Sequence, residues 1–236
     1  KEYLIIGEGI KYKKITDIVS IPKDKIKYVT IKDSVTSIVS SAFESCTCLT
    51  SVIIPDSITY IREGTFKGCT GLKSITIPNN ATSIGSSAFQ GCTGLTSINI
   101  PNSVTSIGSS AFLGCTGLSF VTIGNGVTSI GDSAFLDCTG LTSINISNSV
   151  TEIGERAFYG CYNLTSVTIG NGVTVIGEGA FQDCTGLKEV IIPDSVMSIG
   201  GLAFYGCTDL VEVTIPKSAW NYGIYAFNND TTVNYK

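Results

Sequence analysis

The chain has 236 residues, 43% of them hydrophobic and 14% charged, with a formal net charge of −4 and no histidine. That is ample material for a core, but the charge content is far below the roughly 25% of an average soluble domain, so the polar surface must be built from Ser, Thr, Asn and Gly, a balance typical of extracellular β-rich proteins. Lack of histidine removes the commonest general base and the Ser–His and Cys–His nucleophile systems, and no run of about 18 apolar residues exists to cross a bilayer as a helix.

The elements follow in chain order. Residues 1–25 read as a degenerate capping coil, because Ile6-Gly7-Glu8-Gly9-Ile10 echoes Ile169-Gly170-Asn171-Gly172-Val173 with a step of 25 to the next coil. This end is basic: residues 1–32 hold eight Lys and four acidic residues, whereas the other 204 hold seven basic and fifteen acidic ones. It has no Arg and no aromatic–basic interleaving, so a solvated cap is expected rather than a nucleic-acid or membrane contact. The start of the chain carries no secretory-leader pattern.

From residue 26 to 216 a 23-residue unit repeats. Cys46, Cys69, Cys92, Cys115, Cys138, Cys161, Cys184 and Cys207 keep that step, and so do the Phe series from Phe43 to Phe227 and the Leu series from Leu49 to Leu210. A fixed step without insertions means one coil per unit, each contacting only its neighbours. Leu95, Ile98 and Ile100 give L-x-x-I-x-I, a short strand whose Ser97 and Asn99 face solvent. Pro101-Asn102-Ser103 is turn chemistry. Val104 to Ile107 reads as a second extended segment, and Gly108 as a sharp corner. Ser109-Ser110-Ala111-Phe112 reads as a single capped helical turn. Gly114-Cys115-Thr116-Gly117 returns the chain to the next strand. Residues 217–236 read as a C-terminal cap, ending in a strand over residues 231–235. The expected fold is a single-domain, right-handed repeat solenoid of about nine to ten coils, with parallel β-strands and short helical turns, roughly 40 Å long.

The unit I-P-x-S-V-T-S-I-G-x-x-A-F-x-G-C-x-x-L, cleanest from Ile100 to Leu118, resembles the BspA-like, or Treponema-type, leucine-rich repeat family over about residues 26–227. The resemblance implies a secreted or surface-anchored protein of host-associated bacteria or mucosal protozoa, associated with adhesion to host matrix proteins and other cells. It implies no catalytic residues and no fixed binding motif.

The in-phase cysteines read as a buried free-thiol ladder, since inward Cys behaves as a small hydrophobe and zinc thiolates come in converging pairs; Cys48, outside the phase, is the one thiol expected to be exposed. No cofactor or metal is expected. Glu152, Glu155, Glu178 and Asp132 are the best carboxylate cluster for glycan cleavage, but read first as surface acids. The Asn/Asp series from Asp33 to Asp194 reads as turn capping, not calcium ligation. The Thr series from Thr36 to Thr174 reads as β propensity on a solvent face, with Tyr60 and Met197 interrupting any flat ice-binding array. Asn80, Asn145, Asn163 and Asn229 head glycosylation sequons at the frequency this composition gives by chance.

Outward breaks in the consensus carry the functional reading. At the position after Phe the series runs Glu44, Lys67, Gln90, Leu113, Leu136, Tyr159, Gln182, Tyr205. Tyr162 replaces the Thr that follows Cys in other units, and Phe120 replaces a Ser on the outward strand face. Contiguous exposed apolar and aromatic side chains mark interaction surfaces. Leu113, Leu136, Tyr159, Tyr162, Tyr205 and Phe120 are therefore the candidate binding residues. The function expected is a non-enzymatic extracellular or cell-surface binding module, monomeric, contacting a protein such as host matrix, with no nucleic acid and no membrane insertion. The alternatives are a structural spacer displaying other domains and a glycan-binding or glycan-cleaving solenoid.

Overall fold

The computed structural model describes residues 3–6 and 22–236; the Gly7–Ile10 part of the N-terminal echo and the rest of residues 7–21 lie outside the described residues. Two parallel ladders run along the stack. The long ladder is built from strands Tyr3–Ile6, Tyr28–Ile31, Ser51–Ile53, Ser97–Ile100, Phe120–Ile123, Ser143–Ile146, Ser166–Ile169, Glu189–Ile191, Glu212–Ile215 and Thr232–Tyr235. Its regular members pair in the 23-residue register, as in Ser97↔Phe120 and Ser143↔Ser166. The ends use other steps: Tyr3 pairs with Tyr28, and Glu212 with Thr232. The short ladder is one continuous sheet of two-residue strands, Tyr60–Ile61, Ser83–Ile84, Ser106–Ile107, Ser129–Ile130, Glu152–Ile153, Val175–Ile176 and Ser198–Ile199.

Each coil buries one apolar set. In a representative unit Leu95, Ile98, Ile100, Val104, Ile107, Ala111, Phe112 and Cys115 are all buried. Each meets its copies above and below, which is why identical residues recur: any change of volume at one level must be absorbed by both neighbours. The Phe rings form an unbroken parallel column from Phe43 to Phe227, with centroids 5.1–5.4 Å apart and planes within 12°. Offset stacking of this kind adds about 0.5–1.5 kcal/mol per pair beyond area burial. The in-phase thiols are free and buried, and from Cys69 onward each Sγ–H donates to the Phe carbonyl of the preceding coil, 3.1–3.3 Å away.

The corner differs from the expected helical turn. Among the described residues the only helical segments are the 3-10 turns Lys23–Lys25 and Lys217–Ala219. At the corner Ser110 has φ +57° and Gly114 φ +68°, and the coils from Ser41/Ser45 to Leu202/Gly206 repeat this pair of left-handed positions. Left-handed residues stop a right-handed helix. They also aim N–H groups at the next coil: Ser110, Phe112 and Gly114 donate to Asp132, Ala134 and Leu136 carbonyls at 2.7–2.8 Å. The corner is therefore a third inter-coil ladder.

The polar rows also tie coil to coil. Thr82, Thr105, Thr128, Thr151 and Thr174 hydroxyls each donate to the carbonyl of the preceding coil's Thr at 3.0–3.1 Å. Their hydroxyls are thus occupied by the fold, which explains the Thr row without a ligand. In the Asn/Asp row three members reach the next coil rather than their own turn. Asp56, Asn102 and Asn148 accept from the N–H of Asn79, Asn125 and Asn171 one coil on, at 2.8–3.0 Å. Where Gly126 stands in place of Ser103, a Cβ would collide with the Asn102 carbonyl oxygen, so the glycine there permits a closer approach of successive turns.

The long ladder is interrupted twice. Residues 74–77 form no strand, although Ile75 and Ile77 remain buried. The strands Phe120–Ile123 and Ser143–Ile146 belong to separate sheets, while the short ladder and the corner continue across the same junction.

Candidate binding face

The corner ladder fixes the candidate residues. Leu113, Leu136, Tyr159 and Tyr205 occupy one register position, and their carbonyls accept from Gly91, Gly114, Asp137 and Asp183 at 2.7–2.8 Å. Backbones held this way present their side chains in one direction, as a stripe along the stack. Leu113, Leu136 and Tyr159 are half-buried on three successive coils, and Tyr205 is exposed. Tyr162 lies just beyond the stripe, 47% exposed. Phe120 is not brought together with these residues. It stands on the outward strand face, beside a shallow depression of about 220 Å³ shared with Thr122, Ser143 and Asn145, where the long ladder is interrupted.

Two residues that the reading of outward breaks passed over complete the face. At the left-handed position before each in-phase Cys the series runs Ser45, Gly68, Gly91, Gly114, Asp137, Gly160, Asp183, Gly206. Asp137 and Asp183 adopt φ +57° and +59° there, a region that Asp tolerates better than most non-glycine residues. The Asp137 carboxylate packs over Gly160 and the Asp183 carboxylate over Gly206, in each case where a Cβ would clash with Oδ1. The Asp183 carboxylate, through hydrogen bonding first and charge second, holds the Tyr159 phenol above its ordinary pKa. Beyond Tyr205, the Tyr225 ring meets it edge-to-face at 6.5 Å. The signal for the two aspartates was present in the sequence as a departure from a Ser/Gly series, but it is legible only once the position is known to be left-handed.

The other candidate acids stand in a row at the surface. Asp132, Glu152, Glu155 and Glu178 are exposed, and Asp132 is engaged by the Glu155 N–H at 2.9 Å. Among the described residues no group of three His, Cys, Asp or Glu side chains is placed to hold a metal ion. Burial pushes the Cys46 thiol up to about 11 and the Cys115 and Cys207 thiols up to about 12, so these sulfurs stay protonated and unreactive at neutral pH. Cys48 is exposed. Among the described residues no helix is long and apolar enough to cross a membrane.

The model of the BspA type leucine rich repeat region matches residues 21–138 and 110–234, in six copies. Among solved structures, the chain is similar to a Treponema pallidum leucine-rich repeat protein. The two are 30% identical, with 79% of this chain and 83% of that one covered and a TM-score of 0.64. A leucine-rich repeat protein from Eubacterium ventriosum is 20% identical, over 100% of this chain and 92% of that one, with a TM-score of 0.51. The pneumococcal vaccine antigen PcpA is 21% identical, over 86% and 60% of the respective chains, with a TM-score of 0.52. The last two likenesses concern the fold. No curated protein sequence matches the chain.

Proposed function

Because the chain belongs to the BspA-type leucine-rich repeat family, whose repeats generally serve as binding modules rather than enzymes, we propose that it is a non-catalytic cell-surface or secreted adhesion module. Its partner is a protein, host matrix in the first instance, engaged through the corner face. One observation carries this reading: Leu113, Leu136 and Tyr159 stand on three successive coils, with Tyr162 beside them and Tyr205 two coils beyond Tyr159, on a backbone that the corner ladder ties coil to coil. Preorganised aromatic side chains make contact area at little entropic cost, which is why Tyr is enriched among binding anchors. The low charge content and the family support an extracellular setting. In this reading residues 26–216 are the working surface, and residues 1–25 and 217–236 are caps that shield the ends of the stack.

The test is binding of the chain to a panel of immobilised matrix proteins, beside a Leu113→Ser, Leu136→Ser, Tyr159→Ser variant with an unchanged circular dichroism spectrum. Binding that the variant loses supports the corner face. Binding that the variant keeps moves the contact to another face, with Phe120→Ser next to be measured. If neither protein binds any member of the panel, the spacer reading takes precedence; the uncharged outer positions of residues 68–72 and 74–111, mostly Gly, Asn, Ser and Thr, favour it over that stretch.

A further inference from the structure

We propose that the corner face of the C-terminal half recognises a cationic segment of its partner, rich in lysine and arginine, with Asp137 and Asp183 as the anionic contacts. This assignment rests on the corner-face reading above and adds the chemistry of the partner.

The charge of the repeat region is concentrated where the aromatic side chains are. Residues 125–236 hold eleven acidic and four basic residues, against four and three in residues 33–124. Within that half, the two aspartates occupy backbone positions that other coils give to Ser or Gly. Each carboxylate is laid over a glycine of the next coil, so it lies among the tyrosines instead of extending into solvent alone. The Tyr162 hydroxyl lies 3.7 Å from the place a Gly160 Cβ would take, on the same spot that the Asp137 carboxylate overhangs. The Asp183 carboxylate acts on the Tyr159 phenol, and Tyr205 and Tyr225 continue the aromatic surface.

Carboxylates flanked by exposed phenol rings suit an ammonium or guanidinium group. The carboxylate supplies charge-assisted hydrogen bonds, two of them to an Arg fork, and the ring face supplies cation–π attraction. Spacing rules out one small ion bridging both aspartates. They are two coils apart, and the coil steps at the Phe column there are 5.2 and 5.1 Å, whereas a divalent cation holds its oxygens at about 2.0–2.6 Å. Two separate cationic side chains on one polypeptide fit this spacing. The net negative field over the same half draws such a segment in.

The experiment measures binding of a lysine- and arginine-rich peptide, and of its glutamine-substituted counterpart, to the chain alongside the matrix-protein panel. Variants are Asp137→Asn/Asp183→Asn, in which Asn keeps the tolerance for left-handed backbone, and Glu189→Gln/Glu212→Gln, which removes the same charge from the strand face. The basic peptide is expected to bind, to weaken as salt is raised, and to lose about tenfold or more in affinity with the aspartate variant. The strand-face variant is expected to change affinity much less. Equal weakening by both variants makes the effect one of net charge and overturns the assignment. So does equal binding of the glutamine-substituted peptide. A matrix protein that binds through Tyr159 while the basic peptide does not bind leaves the corner face standing and sinks the cationic partner. Failure of every probe sinks both.

Discussion

The thiol column makes the fold sensitive to alkali, and the size of the effect follows from burial. Exposed thiols ionise near 9.0, whereas burial raises Cys46 to about 11, Cys115 and Cys207 to about 12, and Cys69, Cys92, Cys138 and Cys184 as well. A folded-state value above the unfolded one means that the native chain holds its protons while the unfolded chain sheds them. The contribution of these groups is therefore full below pH 9 and is lost as pH rises toward their folded values. At pH of about 10 each such thiol favours unfolding by about 1.4 kcal/mol relative to neutral pH. Seven together give about 10 kcal/mol, comparable to the whole stability of an ordinary domain, about 5–15 kcal/mol. Urea unfolding followed by circular dichroism under reductant should show stability nearly level from pH of about 7 to 8.5, then falling steeply, with unfolding near pH of about 10. A Cys138→Ala/Cys184→Ala variant is less stable at neutral pH because two packed sulfurs are gone, but its slope above pH 9 should be shallower by about 2.7 kcal/mol per pH unit. Stability that stays level to pH of about 10, or a slope unchanged in the double variant, would refute the claim that burial keeps these thiols protonated.

Other consequences are simpler to check. In native protein at neutral pH a maleimide should label Cys48 alone, and the eight in-phase thiols only after unfolding; fast labelling of a second thiol in native protein contradicts the packing. Phe135→Ala, in the middle of the ring column, should lower the stability measured by urea unfolding by about 3–5 kcal/mol, and more than Phe227→Ala, whose ring has a stacked neighbour on one side only. Arg156→Gly should raise the melting temperature, because Arg156 is exposed with φ +53° and relief of the left-handed strain of about 1–2 kcal/mol exceeds the entropic cost of glycine, about 0.5–1 kcal/mol. Gly126→Ala should lower stability by about 1–3 kcal/mol in the same assay, since its Cβ meets the Asn102 carbonyl oxygen.

The inward half of the structure was open to reading from the sequence because inward residues obey one rule at every level. Leu95, Ile98, Ile100, Phe112 and Cys115 are buried as their period required, and the family followed from the same positions. The corner was not readable in that way. Ser109-Ser110-Ala111-Phe112 has the composition of a capped turn, and local propensity cannot distinguish N–H groups that bond within a turn from N–H groups that bond the next coil. That choice is made by stacking, which supplies a row of carbonyls at the right height. The same blindness hid the role of the Asn row, where Asn102 serves Asn125 one coil on rather than its own turn. It hid Asp137 and Asp183 too, because a departure from Ser and Gly carries meaning only at a position known to be left-handed. Phe120 shows the converse. Its break with consensus was plain, yet the coil's circumference places it on a different face from the tyrosines.

A stack of identical coils turns the search for a binding surface into a comparison within one chain. In an irregular fold an exposed tyrosine has no reference state, and single exposed hydrophobic residues are ordinary. Here each outward position is sampled once per coil against the same backbone and the same buried neighbours, so a side chain that departs from its row is not demanded by the fold. Tyr162 shows this: its row is otherwise Thr, and its backbone carbonyl still accepts from the Gly186 N–H at 3.1 Å. The coil therefore closes whichever residue stands there, and the ring is surplus to the fold's needs. Asp137 and Asp183 meet the same criterion more strongly, since they hold a left-handed backbone that glycine adopts without strain. Departures that the fold does not demand, gathered on one hydrogen-bonded corner, are what a binding surface requires of a scaffold whose outward Thr row serves the stack.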